Sequence, residues 1–280
     1  MNDQASSLRR LKEIADRNAA NREPETAESF LAGIVRPSPF SSVALIVPDM
    51  PEAQFPPVQS WISGIMQFSP RACFWDQAGL IGKNSIPQTQ IKLRYPVPVR
   101  INAGLTPLTI FPQQSDFADL PHMSFEEKAG FLRHAIRSLK SSSEVWISIR
   151  ANELDACAAI LHATDAVCIM VPPHPDAILR CYETVKSIHL SGYFSPIGLL
   201  DFLGPKSAPA ESSSNRIKIV AKQFLALDLV TAGMVLSNCT YLPPENEPGL
   251  RNRISAVESA SRDFLYCLSE GLIYQLPGMI

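Results

Sequence analysis

Short runs that are apolar at every position alternate with longer stretches in which apolar residues recur every three or four positions. Val43-Ala44-Leu45-Ile46-Val47 is ended by Pro48, and Ala72-Cys73-Phe74-Trp75 ends at Asp76. Val145-Trp146-Ile147-Ser148-Ile149 and residues 166–171 follow, the latter stopped by Pro172-Pro173. Runs of this kind fit strands covered on both faces, as in a parallel sheet. Residues 105–111, 197–202 and 231–236 read as further strands, and 77–103 as loops with an irregular, proline-marked edge strand. Helical spacing appears over 57–68, where Pro57 suits the first turn and Val58, Trp61, Ile62, Ile65 and Met66 share a face. Ser124-Phe125-Glu126-Glu127 is a capping box, opening a helix to about residue 140 with Phe131, Leu132, Ala135, Ile136 and Leu139 inward. Helices are also predicted over 152–163, 176–188, 216–229 and 250–268, with a Ser/Pro/Ala loop over 206–214. Strand–helix alternation throughout predicts an α/β fold, a doubly wound and mostly parallel sheet.

Ahead of this body, Leu8, Leu11, Ile14 and Ala15 form a narrow apolar stripe, and Arg9, Arg10, Lys12, Glu13, Asp16 and Arg17 fill the other face. Asp3 suits the N-cap of that helix, since its carboxylate accepts from free N–H groups at the positive end of the dipole. A short amphipathic helix over 1–20 either docks on its own domain or lays its stripe into a partner's groove. Residues 21–41 are polar and carry Pro24, Pro37 and Pro39, which reads as a linker, leaving 42–280 as the globular domain.

Composition narrows the function classes. A length of 280 residues, 46% hydrophobic, suits one large domain with a terminal extension. A formal net charge of −2 argues against general nucleic-acid binding through phosphates. The 6 cysteines (Cys73, Cys157, Cys168, Cys181, Cys239 and Cys267) include no C-x-x-C pair and read as buried thiols of a reducing, cytoplasmic compartment. The polar start is not a signal peptide, and no apolar run is long enough to span a bilayer. His122, His134, His162, His174 and His189 show no metal-ligand spacing, and Ser148 has no G-x-S-x-G context, so no metal and no catalytic residue is assigned.

Asp3-Gln4-Ala5-Ser6-Ser7-Leu8-Arg9 resembles the D-Q-A-x-x-L-R motif at the N-terminus of FlhG (FleN), the MinD/ParA-type regulator of flagellar number. Residues 169–186, with Pro173, Pro175, Ile178, Tyr182 and Lys186 in register, resemble the V-V-T-T-P-E-P-T-S-I-T-D-A-Y-A-L-I-K block of MinD and FlhG proteins. Asp165 and Val167 look like that family's A-D-E-V strand entry, and residues 71–80 like its strand ending in D-A-D-L-G-L, with Asp76 on the first Asp. Residues 104–139 look like its G-x-x-x-x-P-G segment and following helix, and 224–233 resemble F-L-x-x-D-L-x-x-x-G. The resemblance covers nearly the whole chain and implies a SIMIBI-type, MinD-like P-loop NTPase fold.

The departures fall on the nucleotide motifs. Where the family has K-G-G-x-G-K-[ST], this chain has Pro48-Asp49-Met50-Pro51-Glu52-Ala53-Gln54-Phe55-Pro56. Prolines remove N–H donors, and Asp49 and Glu52 oppose a triphosphate. Where the family has D-T-x-A-G, this chain has Ser148-Ile149-Arg150-Ala151-Asn152, with Ser148 in place of the magnesium-linked Asp and Asp76 left as a single carboxylate. The expectation is a pseudo-ATPase without nucleotide, metal or other cofactor. The resemblance implies binding and stimulation of an FlhF-type signal-recognition GTPase, with Gln4 assisting hydrolysis, Asp3 and Arg9 making polar contacts, and Ala5 and Leu8 filling the groove. It further implies control of flagellar number or placement, recruitment to the cell pole or flagellar base, contacts with basal-body or regulatory proteins, and at most indirect membrane contact. A nucleotide-free homodimer stays open. The alternatives are a positioning scaffold like the degenerate MinD-type proteins of pilus assembly (CpaE/TadZ), and an active ATPase with a non-standard site.

Overall fold

The computed structural model describes residues 26–32, 41–49, 58–59, 61–62, 71–81, 99–103, 106–112, 123–139, 142–193, 195–202, 213–235, 241–242, 268–269 and 272–273. The chain divides into two units, Met1–Val35 and Arg36–Ile280. In the first, Thr26 caps the short helix α1 (Ala27–Ala32): its Oγ1 accepts from Ser29 N at 3.1 Å and its carbonyl from Phe30 N at 2.9 Å.

The second unit is built on a sheet of β1 (Ser41–Val47), β2 (Ala72–Asp76), β3 (Val99–Ala103), β4 (Thr106–Pro112), β5 (Glu144–Arg150), β6 (Ala166–Val171), β7 (Ile197–Phe202), β8 (Val230–Val235) and β9 (Tyr241–Leu242). Their spatial order is β3-β4-β2-β5-β1-β6-β7-β8-β9. The strands from β4 to β8 in that order are all parallel, while β3 and β9 close the two edges antiparallel. This is the α/β, doubly wound, mostly parallel sheet expected from the alternation of runs. β2, β6 and β7 are buried along their whole length, and β1 and β5 in all but one residue each.

The two faces of the sheet have separate cores. Val43, Leu45, Phe74, Trp146, Cys168 and Met170 share one with the helical residues Val58, Trp61 and Ile62. Trp61 meets Trp146 edge to face there, with ring centroids 5.5 Å apart. The alternate residue Trp75 points the other way and lies 5.8 Å from Phe131 of α2 (Phe125–Leu139). Each buried Leu, Ile or Phe of these layers contributes about 1.5–3 kcal/mol relative to exposure. At the sheet's opposite end, Asp165 ties β6 to β1: its Oδ2 accepts from both N and Oγ of Ser42 at 2.8 Å.

The capping box forms as the spacing predicts: Glu127 N donates to Ser124 Oγ at 3.3 Å and Ser124 N to Glu127 Oε2 at 3.1 Å. α4 (Pro175–Leu190) is two residues longer than expected at its C-terminal end. Its cap is His174, whose Nδ1 accepts from Asp176 N at 3.3 Å. The helix predicted over 152–163 is not continuous. Ala151–Glu153 is a 3-10 turn, and only α3 (Ala158–Ala163) is α-helical. Cys157 between them has φ −99° and ψ 11°, and its N–H faces the carbonyls of both Glu153 and Leu154 at 3.0 and 3.2 Å. That bifurcated bond is the tightened geometry of a 3-10 turn. The helix expected over 216–229 starts earlier and stops sooner, as α5 (Ser213–Leu225), so Ser213 and Ser214 belong to it and not to the preceding loop. The strand expected over 231–236 lies one residue earlier, as β8. The expected helices over 57–68 and 250–268 lie largely outside the described residues.

Termination of α5 has a local cause. Ala226 sits at φ 54°, the left-handed conformation that commonly ends a helix, and Leu227 N reaches back six residues to Ala221 O at 3.3 Å. An alanine in the left-handed region costs about 1–2 kcal/mol, only part of which is offset by its lower unfolded-chain entropy relative to glycine. Ala226→Gly should therefore stabilise the protein by about 1 kcal/mol in urea unfolding. An unchanged or lowered midpoint would mean that the position is not strained.

Candidate functional site

β1 stands at the topological switch point. The chain leaves it toward β2 on one side, whereas β6, β7 and β8 extend the sheet on the other. Ligands of open α/β sheets bind outside the carboxyl ends of the strands at such a point. Here those ends are Val47 of β1, Asp76 of β2 and Arg150 of β5, with Ser148 in register with both Leu45 and Asp76.

Asp76 and Ser148, separated by 72 residues, meet across this end: Ser148 Oγ donates to Asp76 Oδ1 at 3.1 Å. The segment after β2 turns back over the carboxylate, with Gly79 at φ 70°, a conformation that glycine adopts without steric cost. Leu80 N donates to Oδ1 at 2.8 Å and Ile81 N to Oδ2 at 2.7 Å. Ser148 Oγ also accepts from Ala78 N at 2.9 Å. Two further side chains hold the same turn. Arg150 donates through Nη2 to Ala78 O at 2.7 Å, and Gln59 through Nε2 to Leu80 O at 2.6 Å.

The result is a buried carboxylate, 1% exposed, engaged by its own loop. Three donors take up most of the roughly four lone-pair directions that a carboxylate offers. Burial pushes the Asp76 carboxyl above its ordinary 3.8, and the bonds from Ile81, Leu80, Ser148 and Gly79 only partly oppose that rise. Chemically, the group is a loop anchor, and acting as a base or holding a metal–water cluster would require the loop to let go of it.

The candidate residues thus fall into three sets. Asp76 and Ser148 are brought together. Asp49 lies at the exit of β1, exposed, one residue beyond the buried Pro48. Glu52 and the N-terminal Asp3, Gln4, Ala5, Leu8 and Arg9 lie outside the described residues. Sequence reasoning did not single out Arg150 or Gln59 for this site. Arg150 was detectable, because it lies two residues after Ser148 and so on the same side of β5. For Gln59 there was no such signal. It also passed over Asp201, a carboxylate inside the apolar run of β7. Asp201 is 2% exposed and anchors the first turn of α5, with Oδ1 accepting from Ser214 N at 3.1 Å and Oδ2 from Ser214 Oγ. A charge in a buried strand calls for such a partner. Burial pushes the thiols of Cys73, Cys157, Cys168 and Cys181 up to about 12, so they are protonated and unreactive at neutral pH. Cys239 and Cys267 lie outside the described residues.

No protein-family model matches the chain, and neither does any curated protein. Several solved structures are similar in fold. The MinD cell division protein of Aquifex aeolicus is 10% identical, with 84% of this chain and 97% of that chain covered and a TM-score of 0.45. The pNOB8 ParA bound to nonspecific DNA is 9% identical, with 85% and 99% covered and a TM-score of 0.48. A ParA family ATPase from Chlorobium tepidum TLS is 11% identical, with 84% and 98% covered and a TM-score of 0.43.

The raised pKa of Asp76 fixes the sign of a pH effect. Its contribution to stability is fully present below the unfolded value of 3.8 and is lost as pH rises through the raised folded value. Asp76→Asn removes that titration. The stability of the wild type relative to this variant should therefore fall as pH rises from about 4 toward neutrality, measured by urea unfolding at several pH values. Parallel curves for the two proteins would show that Asp76 is not shifted.

Proposed function

We propose that the chain is a non-catalytic, MinD/FlhG-like regulator whose body does not turn over nucleotide and whose N-terminal helix binds and stimulates an FlhF-type signal-recognition GTPase. The observation that carries the non-catalytic part is the engagement of Asp76 by Leu80 N, Ile81 N and Ser148 Oγ. Phosphoryl transfer depends on positioned charge at the metal and at the attacking oxygen, and Asp76, the carboxylate left at the carboxyl end of β2, is occupied in holding its own loop. The replacement of the glycine- and lysine-rich loop after β1 by residues 48–56 supports the same reading.

The partner is supported by the D-Q-A-x-x-L-R pattern at Asp3, Gln4, Ala5, Leu8 and Arg9. In this reading Leu8 and Ala5 seat the helix in an apolar groove, Asp3 and Arg9 set its polar register, and Gln4 reaches the partner's nucleotide. The output is control of flagellar number or placement from the cell pole or flagellar base.

Two measurements test the parts separately. A peptide of residues 1–20 should raise GTP turnover by the FlhF-type GTPase, and Gln4→Ala should cut that stimulation at least about tenfold. Absence of stimulation by the wild-type peptide rejects the partner. Calorimetric titration of the whole chain with ATP and magnesium should release no binding heat, and micromolar affinity would reject the non-catalytic body.

A second reading, a positioning scaffold of the pilus-assembly kind, would act through the body surface. It is favoured by large apolar side chains exposed on α4 and α5, Leu179, Leu190, Ile219 and Phe224. Correct cellular placement of a chain lacking residues 1–20 would select this reading over the first.

A further inference from the structure

The solvent face of α4 carries an internally symmetric pattern. Its inner side is Cys181, Val185 and Ile188, all buried. On the outer side Leu179 is 62% and Leu190 68% exposed. At 3.6 residues per turn, Leu179, Glu183, Lys186 and Leu190 fall within about 30° of one line along the helix, opposite the buried residues. Glu183 and Lys186 are exposed, and neither has an ion-pair partner among the described residues. The line therefore reads apolar, acidic, basic, apolar, and it is symmetric about the point midway between Glu183 and Lys186.

We infer that this stripe is the contact face of a homodimer in which α4 packs antiparallel against α4 of a second copy across a two-fold axis. A two-fold interface requires that if one residue meets another, the reverse contact is also made. With the axis midway between Glu183 and Lys186, Leu179 of each copy meets Leu190 of the other, and Glu183 of each meets Lys186 of the other. Two apolar contacts then flank two opposite-charge contacts, all from four positions. Parallel packing in the same register would set Glu183 against Glu183 and Lys186 against Lys186, which charge repulsion disfavours. This self-complementarity selects a second copy over a foreign partner, for which no such symmetry is needed. α5 adjoins α4, and its Ile219, 66% exposed, widens the apolar surface beside the stripe.

The area sets the strength. A helix of 16 residues is about 24 Å long, so one helix pair lies at the small end of specific interfaces, below about 1,200 Å². The dimer is accordingly weak, dependent on concentration, and sensitive to salt through its charge pairs. It requires neither nucleotide nor the GTPase partner, so it stands or falls independently of the proposed function.

Sedimentation equilibrium of the full chain across the micromolar range tests the inference. The wild type should show a monomer–dimer equilibrium. Leu190→Asp should abolish it. Glu183→Lys and Lys186→Glu should each weaken it about tenfold or more by creating like-charge contacts. The double variant Glu183→Lys/Lys186→Glu should restore it to within about threefold of the wild type, because each lysine again faces a glutamate. All these side chains are exposed, and circular dichroism should find the fold of each variant intact. A chain that stays monomeric throughout overturns the inference and leaves the stripe to a foreign protein. So does a dimer indifferent to these substitutions, or a double variant no tighter than the single ones.

Discussion

Taking a carboxylate out of water costs several kcal/mol unless donors replace the lost hydration, and at the end of β2 Asp76 offsets part of that cost by recruiting its own chain. Leu80 N and Ile81 N close on it, Ser148 bridges it to β5, and Gly79 supplies the backbone turn that makes the closure sterically acceptable. Arg150 and Gln59 then hold the carbonyls of the same turn from β5 and from the helical residues after β1. The carboxyl end of the sheet at the switch point is thereby organised around one buried acid. Removing any single donor leaves a charge partly unsatisfied in a low-dielectric site, so these residues act as a set.

The sheet makes that arrangement geometrically available. β1, β2 and β5 are parallel neighbours or next neighbours, so their carboxyl ends arrive at the same level. Alternation along each strand sends Phe74 and Trp146 into one core while Trp75 goes to the other, where Phe131 covers it. Asp76 and Ser148 continue the first set, which places their side chains on the face where Trp61 and Gln59 lie. The same device recurs elsewhere in the sheet: Asp165 holds Ser42 at the entry of β1, and Asp201 holds Ser214 at the start of α5. Each is an acid at a strand end that accepts from both the backbone N–H and the hydroxyl of one serine.

How much of this was legible in the sequence depends on the range of the interaction. Strands buried on both faces leave a continuous apolar run, and β1, β2, β5, β6 and β7 were readable because burial writes itself into every residue. The capping box was readable because both of its bonds lie within one turn. The break before α3 was not, since Leu154, Cys157, Ala158 and Leu161 keep helical spacing through residues whose hydrogen bonds shift to the 3-10 pattern. The end of α5 was hidden because its left-handed residue is Ala226 and not glycine. Asp76 and Ser148 were each visible as positions in a family pattern, but their mutual bond joins residues 72 apart and is created by strand order alone. Of the candidate site, therefore, its members were partly legible and its state of engagement was not.

That state bears on where function can reside. A site ready for a ligand keeps polar groups whose best partner has yet to arrive, whereas the strand-end acids of this body already have theirs. Asp76, Asp165 and Asp201 each use both lone-pair-rich oxygens or both donors of a serine to fasten one element to another. On the exterior of α4, Leu179 and Leu190 stand in solvent, with Glu183 and Lys186 unpaired between them among the described residues. Besides the crevice of the sheet, the outer faces of helices thus offer a second kind of surface, on which recognition rests on matching stripes and charges. Ties of this kind between strand ends lower the entropic cost at which the body presents such a helix face.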